Sequence, residues 1–429
     1  MTNQPLSPAR PAPDTSPPPA SGRPRRSLLT LMAVATGLSV SGNYFAQPLL
    51  ELVSRDLGIG TGLAALVVTA GQAGYALGLI LLVPLGDVVD RRRLTVGLFT
   101  ATALFLAVTA AAPTGPVLLA GTVLTALAST GAQVVVPLAA SLASPAERAR
   151  TVGFVMSGIL LGGLLARTVS GGLASAADWR TVYWTGSVLM AVMAVLLHRF
   201  LPRLRTATAG LRYPALLAST VRLLGQERVL RRRSLLAALT FSSYSVQLTS
   251  LTFLLARPPY GWSEAAIGLF GLVGVVGVAT TPLVARLGDR GRARAVTGAG
   301  TALMAAGWLL LLPAGSSLVW LVVGVVAMNA ALQSVLNSSQ TVVYALRPEA
   351  RNRVNSAFMT CYFIGGATGS ALASAVWAYG SWPMVCALGA GLAVVSFLLW
   401  ARETADGASG TGGREYAEAV GRAAPSRLG

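Results

Sequence analysis

Amide side chains interrupt one long apolar stretch of this chain at a spacing that could bind a polar ligand. Asn329, Gln333 and Asn337 follow one another at intervals of four residues, so a helix would place them on one face. An amide both donates and accepts hydrogen bonds, and polar groups are costly in surroundings without water. The stripe therefore predicts either a hydrogen-bonding surface for a small ligand or polar contacts between neighbouring helices, and both interpretations are open at this point.

One formal charge lies well inside another apolar stretch. Arg167 falls within residues 152–174, and a charge at such a depth is stable only if it meets a partner or water. We therefore expect Arg167 to face a water-filled cavity beside neutral groups such as Asn43 or Gln133. Its planar fork would then be available to an acidic or carbonyl-bearing ligand. The alternative is that the side chain snorkels or pairs with backbone carbonyls.

Other groups that could do chemistry are sparse. Among the fifteen acidic residues, Glu51, Asp87 and Glu349 lie near the ends of apolar stretches and the others lie in loops or tails. The two cysteines, Cys361 and Cys386, are not clustered, and there is no Gly-rich phosphate loop. These observations predict a protein that is not an enzyme, with no metal, no cofactor and no obvious carboxylate carrier for protons.

Long apolar segments must position these residues. Hydrophobic residues make up 54% of the chain, charged residues only 11%, and mean hydropathy is +0.64, which is typical of a membrane protein. We count twelve segments of about 20 residues, the length that crosses a bilayer as a helix. They are residues 28–50, 63–85, 94–112, 117–142, 152–174, 182–200, 235–255, 265–287, 295–312, 318–346, 354–379 and 383–400.

The segments fall into two related halves. Residues 145–179 match residues 348–382 at an offset of 203, and Leu85-Gly86-Asp87 recurs as Leu287-Gly288-Asp289. The coinciding pairs are Pro145/Pro348, Arg148/Arg351, Arg150/Arg353, Met156/Met359, Gly162/Gly365, Gly163/Gly366 and Trp179/Trp382. Membrane proteins built from two parallel halves typically place a substrate path between them. The pairs Gly158/Gly162 and Gly365/Gly369 would also let helices approach closely.

Charge predicts the orientation and the domain limits. All 33 basic residues are arginines, and with a cytoplasmic amino terminus only Arg55, Arg180 and Arg257 fall in outer loops. The net charge of +18 is thus explained by topology, and nucleic-acid binding is not expected.

We predict a disordered cytoplasmic tail at residues 1–27, six-helix halves at 28–200 and 235–400, a cytoplasmic linker with an amphipathic helix at 201–234, and a cytoplasmic tail at 401–429.

These features resemble the major facilitator superfamily. The residues that carry the resemblance are the two six-helix halves, the loop Gly86-Asp87-x-x-Asp90-Arg91-Arg92-Arg93, its repeat at Gly288-Asp289-Arg290 and Asp178-Trp179-Arg180. Residues 43–50, 155–158 and 166–171 are further similar to a bacterial efflux-permease branch. The resemblance implies an all-α membrane protein with twelve transmembrane helices in two pseudo-symmetric six-helix halves.

The resemblance also implies two sets of functional residues. The first, fourth, seventh and tenth helices would line a central cavity, which with Arg167 gives the candidate set Asn43, Tyr44, Gln47, Thr130, Gln133, Arg167, Tyr244, Gln247, Asn329, Gln333 and Asn337. The loop motif would latch the cytoplasmic side through Gly86, Asp87, Asp90, Arg91, Asp289 and Arg290. The acid of the motif is either Asp87 or Asp90, and the alternative to a latch is a simple positive-inside anchor.

The expected function is secondary transport of a small amphipathic drug or metabolite out of the cell by alternating access. The expected partners are a small-molecule substrate, membrane lipid and a coupling proton, and the expected location is the cell membrane with both termini cytoplasmic. An importer or facilitator of a sugar or other small metabolite shares the same fold features. A non-transporting membrane sensor or scaffold would need a sizeable soluble domain, and no segment of the sequence suggests one.

Overall fold

The fold is helical throughout the part of the chain that the structure describes. The structure is a computed structural model, and it describes residues 26–143, 147–202, 213–274, 293–346, 351–379 and 381–408. Every regular element in these ranges is an α-helix or a short 3-10 helix, which confirms the all-α prediction.

The helices follow one another with short connections. In chain order they are α1 (Arg26–Ser41), α2 (Leu50–Asp56), α3 (Thr61–Leu81), α4 (Arg91–Ala110), α5 (Gly115–Ala128), α6 (Gly131–Leu142), α7 (Arg148–Ala176), α8 (Trp179–Phe200), α9 (Tyr213–Gln226), α10 (Arg228–Ala256), α11 (Glu264–Phe270), α12 (Ala293–Leu311), α13 (Leu318–Leu346), α14 (Arg351–Tyr379) and α15 (Trp382–Ala408). Short 3-10 helices occupy Gln47–Leu49, Val83–Asp87 and Leu312–Gly315.

Eight of the described helical segments are long and apolar enough to cross a bilayer. They correspond to the second to sixth, ninth, tenth and twelfth predicted segments. The first segment yields a shorter apolar helix, α1, and the seventh and eleventh yield α10 and α14, each 29 residues long but more polar. The eighth segment begins with α11, and its remainder lies outside the described residues.

The first predicted segment, residues 28–50, is not one continuous helix. Regular helix ends at Ser41, a turn follows, and the 3-10 helix Gln47–Leu49 leads into α2. Pro48 has no backbone N–H to donate, and Gly42 lowers the cost of leaving the helical conformation. The chain therefore has irregular backbone within a segment that is expected to span the membrane. Such backbone is tolerated in a membrane only where it is buried in protein or lines a cavity.

The fourth predicted segment, residues 117–142, is also interrupted. The break at Ser129 and Thr130 separates α5 from α6. The hydroxyl of Ser39 on α1 donates to the carbonyl oxygen of Ser129 and accepts from the backbone N–H of Ala132 at 3.2 Å. One side chain thus replaces backbone hydrogen bonds that the break removes, as a membrane environment requires.

Glycines set the closest contacts between helices. A Cβ added at Gly158 or Gly162 of α7 would lie 2.0 or 2.2 Å from a backbone oxygen of α1. In the second half, a Cβ at Gly365 or Gly369 of α14 would lie 2.2 or 2.1 Å from a backbone oxygen of α10. The same packing of small residues therefore occurs at equivalent places in both repeats.

Two of the helix pairs that join the halves in the described residues have extensive contacts. The helix α3 packs against α14, and α7 packs against α11. Arginines such as Arg92, Arg199 and Arg228 mark one end of the bundle, the arginine-rich end. Asp56, Arg180 and other residues at the junctions α2–α3 and α7–α8 mark the other, the far end.

A buried ion pair ties the arginine-rich end of the second half together. Arg233 is fully buried on α10, and its guanidinium lies 3.1 Å from the carboxylate of Glu403 on α15 and donates to Thr297 on α12 at 2.8 Å. The expectation that Glu403 lies in a loop or tail is therefore wrong, because α15 continues to Ala408 and buries this acid. Each charge compensates the other, so removal of either would leave an uncompensated buried charge.

The glycine contacts predict a stability difference between two positions of α7. In Gly162→Ala the new methyl group would meet the backbone of Gly37 at 2.2 Å, so α1 and α7 must separate. We expect a loss of about 1–3 kcal/mol in the free energy of unfolding. Gly172→Ala is the matched control, because nothing lies within 4 Å of its Cβ position and alanine favours helix. Thermal unfolding of both purified variants measures the effect, and equal melting temperatures would contradict the packing account.

Candidate functional site

A cavity with an empty volume of about 470 Å³ lies between the two halves. The first half contributes Gln47, Pro48 and Arg167, whereas most of the wall comes from α10, α11 and α13 of the second half. The apolar wall residues are Leu248, Leu251, Leu255, Ile267, Phe270 and Val325, and the polar ones are Tyr244, Gln247, Thr252 and Asn329. The mixture of apolar walls with few polar groups is that of a small-molecule pocket.

Arg167 is held by neutral groups of the first half. Its Nε donates to the amide oxygen of Gln47 at 2.7 Å, and its guanidinium carbon lies 4.9 Å from the centre of the Tyr44 ring. No ion pair of Arg167 with an acid occurs within the described ranges. The guanidinium thus combines a hydrogen bond, a cation–π contact and a position on the cavity wall.

The side chain of Arg167 needs space that a glycine provides. A Cβ at Gly271, just after α11, would lie 3.2 Å from Cδ of Arg167. The backbone oxygen of Arg167 lies 2.4 Å from the Cβ position of Gly268, so α7 and α11 touch at this level. Two glycines of the second half therefore determine where a charge of the first half can lie.

The second half supplies a pair of hydrogen-bonding groups on the opposite wall. The hydroxyl of Tyr244 on α10 donates to the amide oxygen of Asn329 on α13 at 3.0 Å, and the Asn329 amide donates to the carbonyl oxygen of Val325 at 2.9 Å. Gln247 lies one turn from Tyr244, and its buried amide oxygen has no hydrogen-bond partner among the described residues. This oxygen is free to accept a hydrogen bond from a bound molecule.

Three candidate residues of the first half lie away from both this cavity and Arg167. Asn43 lines a second cavity of about 320 Å³ between α3, α5 and α8, so Gln47 and not Asn43 accepts the hydrogen bond from Arg167. Thr130 is buried at the break between α5 and α6, where its hydroxyl donates to a backbone oxygen. Gln133 donates to the hydroxyl of Tyr75 at 3.4 Å and does not contact Arg167. Each of these three residues lies at or just after a break in a helix. The break changes the direction in which the following side chains point.

The amide stripe of α13 extends beyond the cavity. Asn329 lies on the cavity wall, whereas Gln333 and Asn337 follow one and two turns towards the arginine-rich end and are half-buried. The amide nitrogen of Asn337 is buried without a hydrogen-bond partner in the described parts of the chain. The stripe therefore continues from the cavity towards the arginine-rich end.

Aromatic residues that sequence reasoning did not identify lie between the cavity and the arginine-rich end. Tyr75 on α3 packs on Phe363 of α14 with ring centres 4.4 Å apart, and Phe241 stacks on Tyr362 at 4.0 Å. Tyr75 and Phe363 belong to different halves, so this contact closes the interface. Single aromatic residues in apolar segments give no signal of such pairing, because the partners are distant in sequence.

Further contacts between the halves lie at the arginine-rich end. The hydroxyl of Ser356 on α14 donates to the carbonyl oxygen of Leu79 on α3 at 2.6 Å. The helix α9, in the region between the halves, adds to this contact because Tyr213 donates to the carbonyl oxygen of Leu81 and its Ser219 accepts from Arg353 at 3.2 Å. The cavity is thus separated from the arginine-rich end by α3, α14 and α9.

The far end is closed by α7 and α11. The hydroxyl of Thr168 donates to the backbone oxygen of Gly268 at 3.0 Å, and a Cβ at Gly171 would lie 2.3 Å from the backbone oxygen of Glu264. The carboxylate of Asp56 nearby accepts hydrogen bonds from Arg180 and from the Trp179 indole, and these hold its pKa below the ordinary value. Asp56 is therefore ionised at neutral pH.

The loop motif between α3 and α4 has a local structural role. The Asp90 carboxylate accepts a hydrogen bond from the backbone N–H of Arg93 at 2.8 Å and caps α4, and Arg91 donates to the backbone oxygen of Gly86 at 3.1 Å. Arg92 donates to the backbone oxygen of His198 at the end of α8. The Asp87 side chain, and Asp289 and Arg290 with it, lie outside the described part of the structure.

Comparison with known proteins identifies related sequences along most of the chain. The sequence model of the Major Facilitator Superfamily matches residues 32–290 and 234–423. The Escherichia coli (strain K12) protein named putative uncharacterized transporter YgaY is 44% identical over 376 residues, which cover 88% of this chain and 95% of that protein. A chloramphenicol resistance protein of Streptomyces lividans is 28% identical over 285 residues, covering 65% of this chain and 71% of that protein.

The fold is also found among solved structures. The crystal structure of the human organic anion transporter MFSD10 (TETRAN) superimposes with a TM-score of 0.67 at 19% sequence identity. The superposition covers 88% of this chain and 100% of that one. At this identity the likeness concerns the arrangement of helices alone.

The capping role of Asp90 predicts that two substitutions differ in effect. Asp90→Ala removes the acceptor for the Arg93 N–H and should cost about 1 kcal/mol of stability. Asn is as good a cap as Asp, so Asp90→Asn should unfold at nearly the parental temperature. Thermal unfolding of the purified variants measures both. If Asp90→Asn loses as much stability as Asp90→Ala, the charge of Asp90 has a role besides capping.

Proposed function

This chain belongs to the Major Facilitator Superfamily, and we propose that it is a secondary active transporter that exports a small amphipathic compound by alternating access. The chain is a multi-pass membrane protein and a transporter, and it is not an enzyme. Alternating access requires a binding cavity between two halves that can open at either end in turn.

The cavity lining is the observation that supports an amphipathic substrate. Arg167 and Gln47 form a polar corner on the side of the first half, and leucine, isoleucine and phenylalanine side chains of the second half form the facing wall. A molecule with an acidic or carbonyl group at one end and an apolar body would satisfy both sides at once. The guanidinium would bind the polar end by charge-assisted hydrogen bonds, and the apolar body would be removed from water.

Recognition by both halves gives the substrate a direct effect on their arrangement. A ligand that touches the two walls simultaneously stabilises states in which the walls are close together. A ligand can shift a conformational equilibrium only by its difference in affinity for the two states. The described contacts at Ser356 with Leu79 and at Thr168 with Gly268 are those that must break in turn.

The motif Gly86, Asp87, Asp90 and Arg91, with Asp289 and Arg290 in the second half, is proposed as the cytoplasmic latch. The hydrogen bond from Arg91 to Gly86 and that from Arg92 to the end of α8 support a role in holding helix ends together. Asp90 acts through the cap of α4 in this proposal, which leaves Asp87 as the acid of the latch.

The proposed topology has twelve membrane spans in the cell membrane, with both termini in the cytoplasm. The clustering of arginines at one end supports it, since cytoplasmic loops carry the excess of basic residues. A surface helix such as α9 at that end would lie near anionic lipid headgroups.

Transport by the purified full chain in sealed vesicles tests the function. Chloramphenicol is a suitable first probe, because a protein similar to this chain is named for resistance to it. Uptake into inside-out vesicles that depends on the transporter and is driven by a pH gradient would support export coupled to protons. Accumulation in the opposite direction would favour an importer, and transport unaffected by any ion gradient would favour a facilitator.

Arg167 provides the most specific prediction for this site. Arg167→Lys keeps the charge but loses the planar fork, and Arg167→Gln loses both. A hydrogen bond to a charged group is worth about 1.5–3 kcal/mol, so Arg167→Gln should weaken apparent substrate affinity about tenfold or more. Arg167→Lys should have a smaller effect. Arg199→Gln is a control, because Arg199 is exposed near the end of α8 and does not line the cavity. Parental affinity in Arg167→Gln would show that the guanidinium does not bind the substrate.

The topology is tested by labelling of introduced cysteines in intact cells. The background variant carries serine in place of Cys361 and Cys386, the two native cysteines. A cysteine introduced at Arg92 should resist a membrane-impermeant maleimide until the cells are opened, whereas one at Arg180 should react at once. Reaction at Arg92 in sealed cells would reverse the proposed orientation.

A further inference from the structure

A Tyr-x-x-Gln motif occurs in each half of the chain, and both copies reach the cavity. Tyr44-x-x-Gln47 in the first half recurs as Tyr244-x-x-Gln247 in the second. Gln47 lines the cavity from the 3-10 helix that follows α1, and Gln247 lines it from α10. The two glutamines are almost fully buried, with 3% and 1% of their surface exposed. Each half therefore contributes a buried amide to the same cavity.

The amide of Gln47 is oriented by Arg167. Its oxygen Oε1 accepts from Nε of Arg167 at 2.7 Å. Because a guanidinium can only donate, this contact fixes which end of the amide is the oxygen. The nitrogen Nε2 of Gln47 is then buried without a hydrogen-bond partner in the described residues. The contact also leaves the terminal NH2 groups of Arg167 as further donors. The first half thus presents hydrogen-bond donors on its side of the cavity.

The amide of Gln247 presents an acceptor. Its oxygen Oε1 is buried and has no hydrogen-bond partner within the described ranges. The neighbouring polar groups bond to one another instead, because Tyr244 donates to Asn329 and Asn329 donates to the carbonyl oxygen of Val325. A buried oxygen without a donor lacks the hydrogen bonds that water would give it, so a donor that a ligand brings to this place is bound favourably.

The rest of the cavity lining limits the kind of molecule that fits. Arg167 is the only charged residue among the described residues that line the cavity, so a cationic molecule would be repelled and a carboxylate attracted. Much of the remaining wall is apolar and includes Leu248, Leu251 and Phe270. A molecule with acceptors alone would leave the oxygen of Gln247 unpaired. One that also carries an O–H or N–H group would satisfy the polar groups of both halves.

We propose that the substrate is an acid with an apolar body and a hydrogen-bond donor, and that Gln247 determines this specificity by accepting from the donor. The inference rests on the proposed function and names the substrate class for the same cavity. The carboxylate of the substrate binds the donors of Arg167 and Gln47, and its apolar body packs on Leu248 and Leu251. Its hydroxyl or amide N–H donates to Oε1 of Gln247, so both halves hydrogen-bond to one molecule.

Binding is measured first, separately from transport. The probes are three acids with one skeleton: phenylpropanoate has no donor besides its acid group, phenyllactate adds a hydroxyl beside the carboxylate, and para-hydroxyphenylpropanoate adds one at the opposite end. Calorimetric titration of the purified full chain in phosphatidylcholine nanodiscs gives the Kd of each probe. At least one hydroxyl acid should bind about tenfold more tightly than phenylpropanoate, the difference that a hydrogen bond to a buried acceptor makes. Equal affinities for all three acids, or no binding of any, would overturn the proposed substrate class.

Variants of Gln247 test its role in this preference. Gln247→Met removes both polar atoms at similar volume, so the hydroxyl acids should bind no more tightly than phenylpropanoate. Gln247→Glu keeps an oxygen acceptor whether or not the carboxyl group is ionised, so the ratio of affinities should persist. Gln72→Met is the matched control, because Gln72 is buried on α3 and lines neither cavity. A preference that survives in Gln247→Met, or is lost in Gln247→Glu, would show that Gln247 does not bind the donor.

Transport of the same acids separates this inference from the proposed function. Exchange of labelled for unlabelled acid across sealed vesicles should be faster for the preferred hydroxyl acid than for phenylpropanoate at equal low concentration. Selective binding without exchange or uptake of any probe would refute the transport function and still support the binding role of Gln247. Transport of chloramphenicol by a protein that does not distinguish the three acids would support the function and overturn the inference.

Discussion

The contact of α7 with α1 on one side and with α11 on the other is the constraint on which the site depends. Glycines at 158 and 162 bring the backbones of α1 and α7 together, and Gly268 brings α11 against α7 at Arg167. In a membrane such contacts rest on close packing, because lipid provides no hydrophobic driving force between helices. The close approach places Gln47, which follows α1, beside Arg167 on α7. A larger residue at these glycines would move the charge away from its partner.

Two arginines inside the helical bundle show two different solutions to the cost of a charge away from water. Arg233 pairs with Glu403 and donates to Thr297, so its charge is compensated within the protein. Arg167 has an amide and an aromatic ring instead, and it remains on the wall of a cavity. A compensated pair stabilises one arrangement of the helices. A charge with neutral partners can still bind a ligand, which supports the role in substrate binding that we propose for Arg167.

Irregular backbone occurs at places within the membrane region where polar side chains are needed. The break after Ser41 lets Gln47 point to the cavity between the halves while Asn43 lines a separate one. The break at Ser129 is stabilised by the Ser39 hydroxyl, which bonds backbone groups on both sides of it. Each break is covered by other helices, as the membrane requires of backbone that is not hydrogen-bonded within a helix.

The sequence by itself determined the class of fold, the repeat and the residue with the most unusual charge. Hydropathy, periodicity and repeated glycines are patterns of residues close together in the chain, so the order of amino acids is enough to recognise them. Arg167 was identified because a charged residue inside an apolar segment is unusual, and this can be seen without knowledge of its neighbours in space.

Only the tertiary structure decided the partners. Gln47 and Arg167 are 120 residues apart, and the ion pair of Arg233 with Glu403 joins helices still further apart in the sequence. Which face of a helix meets which neighbour depends on the breaks and on the crossing of helices at glycines, and neither is encoded by local spacing.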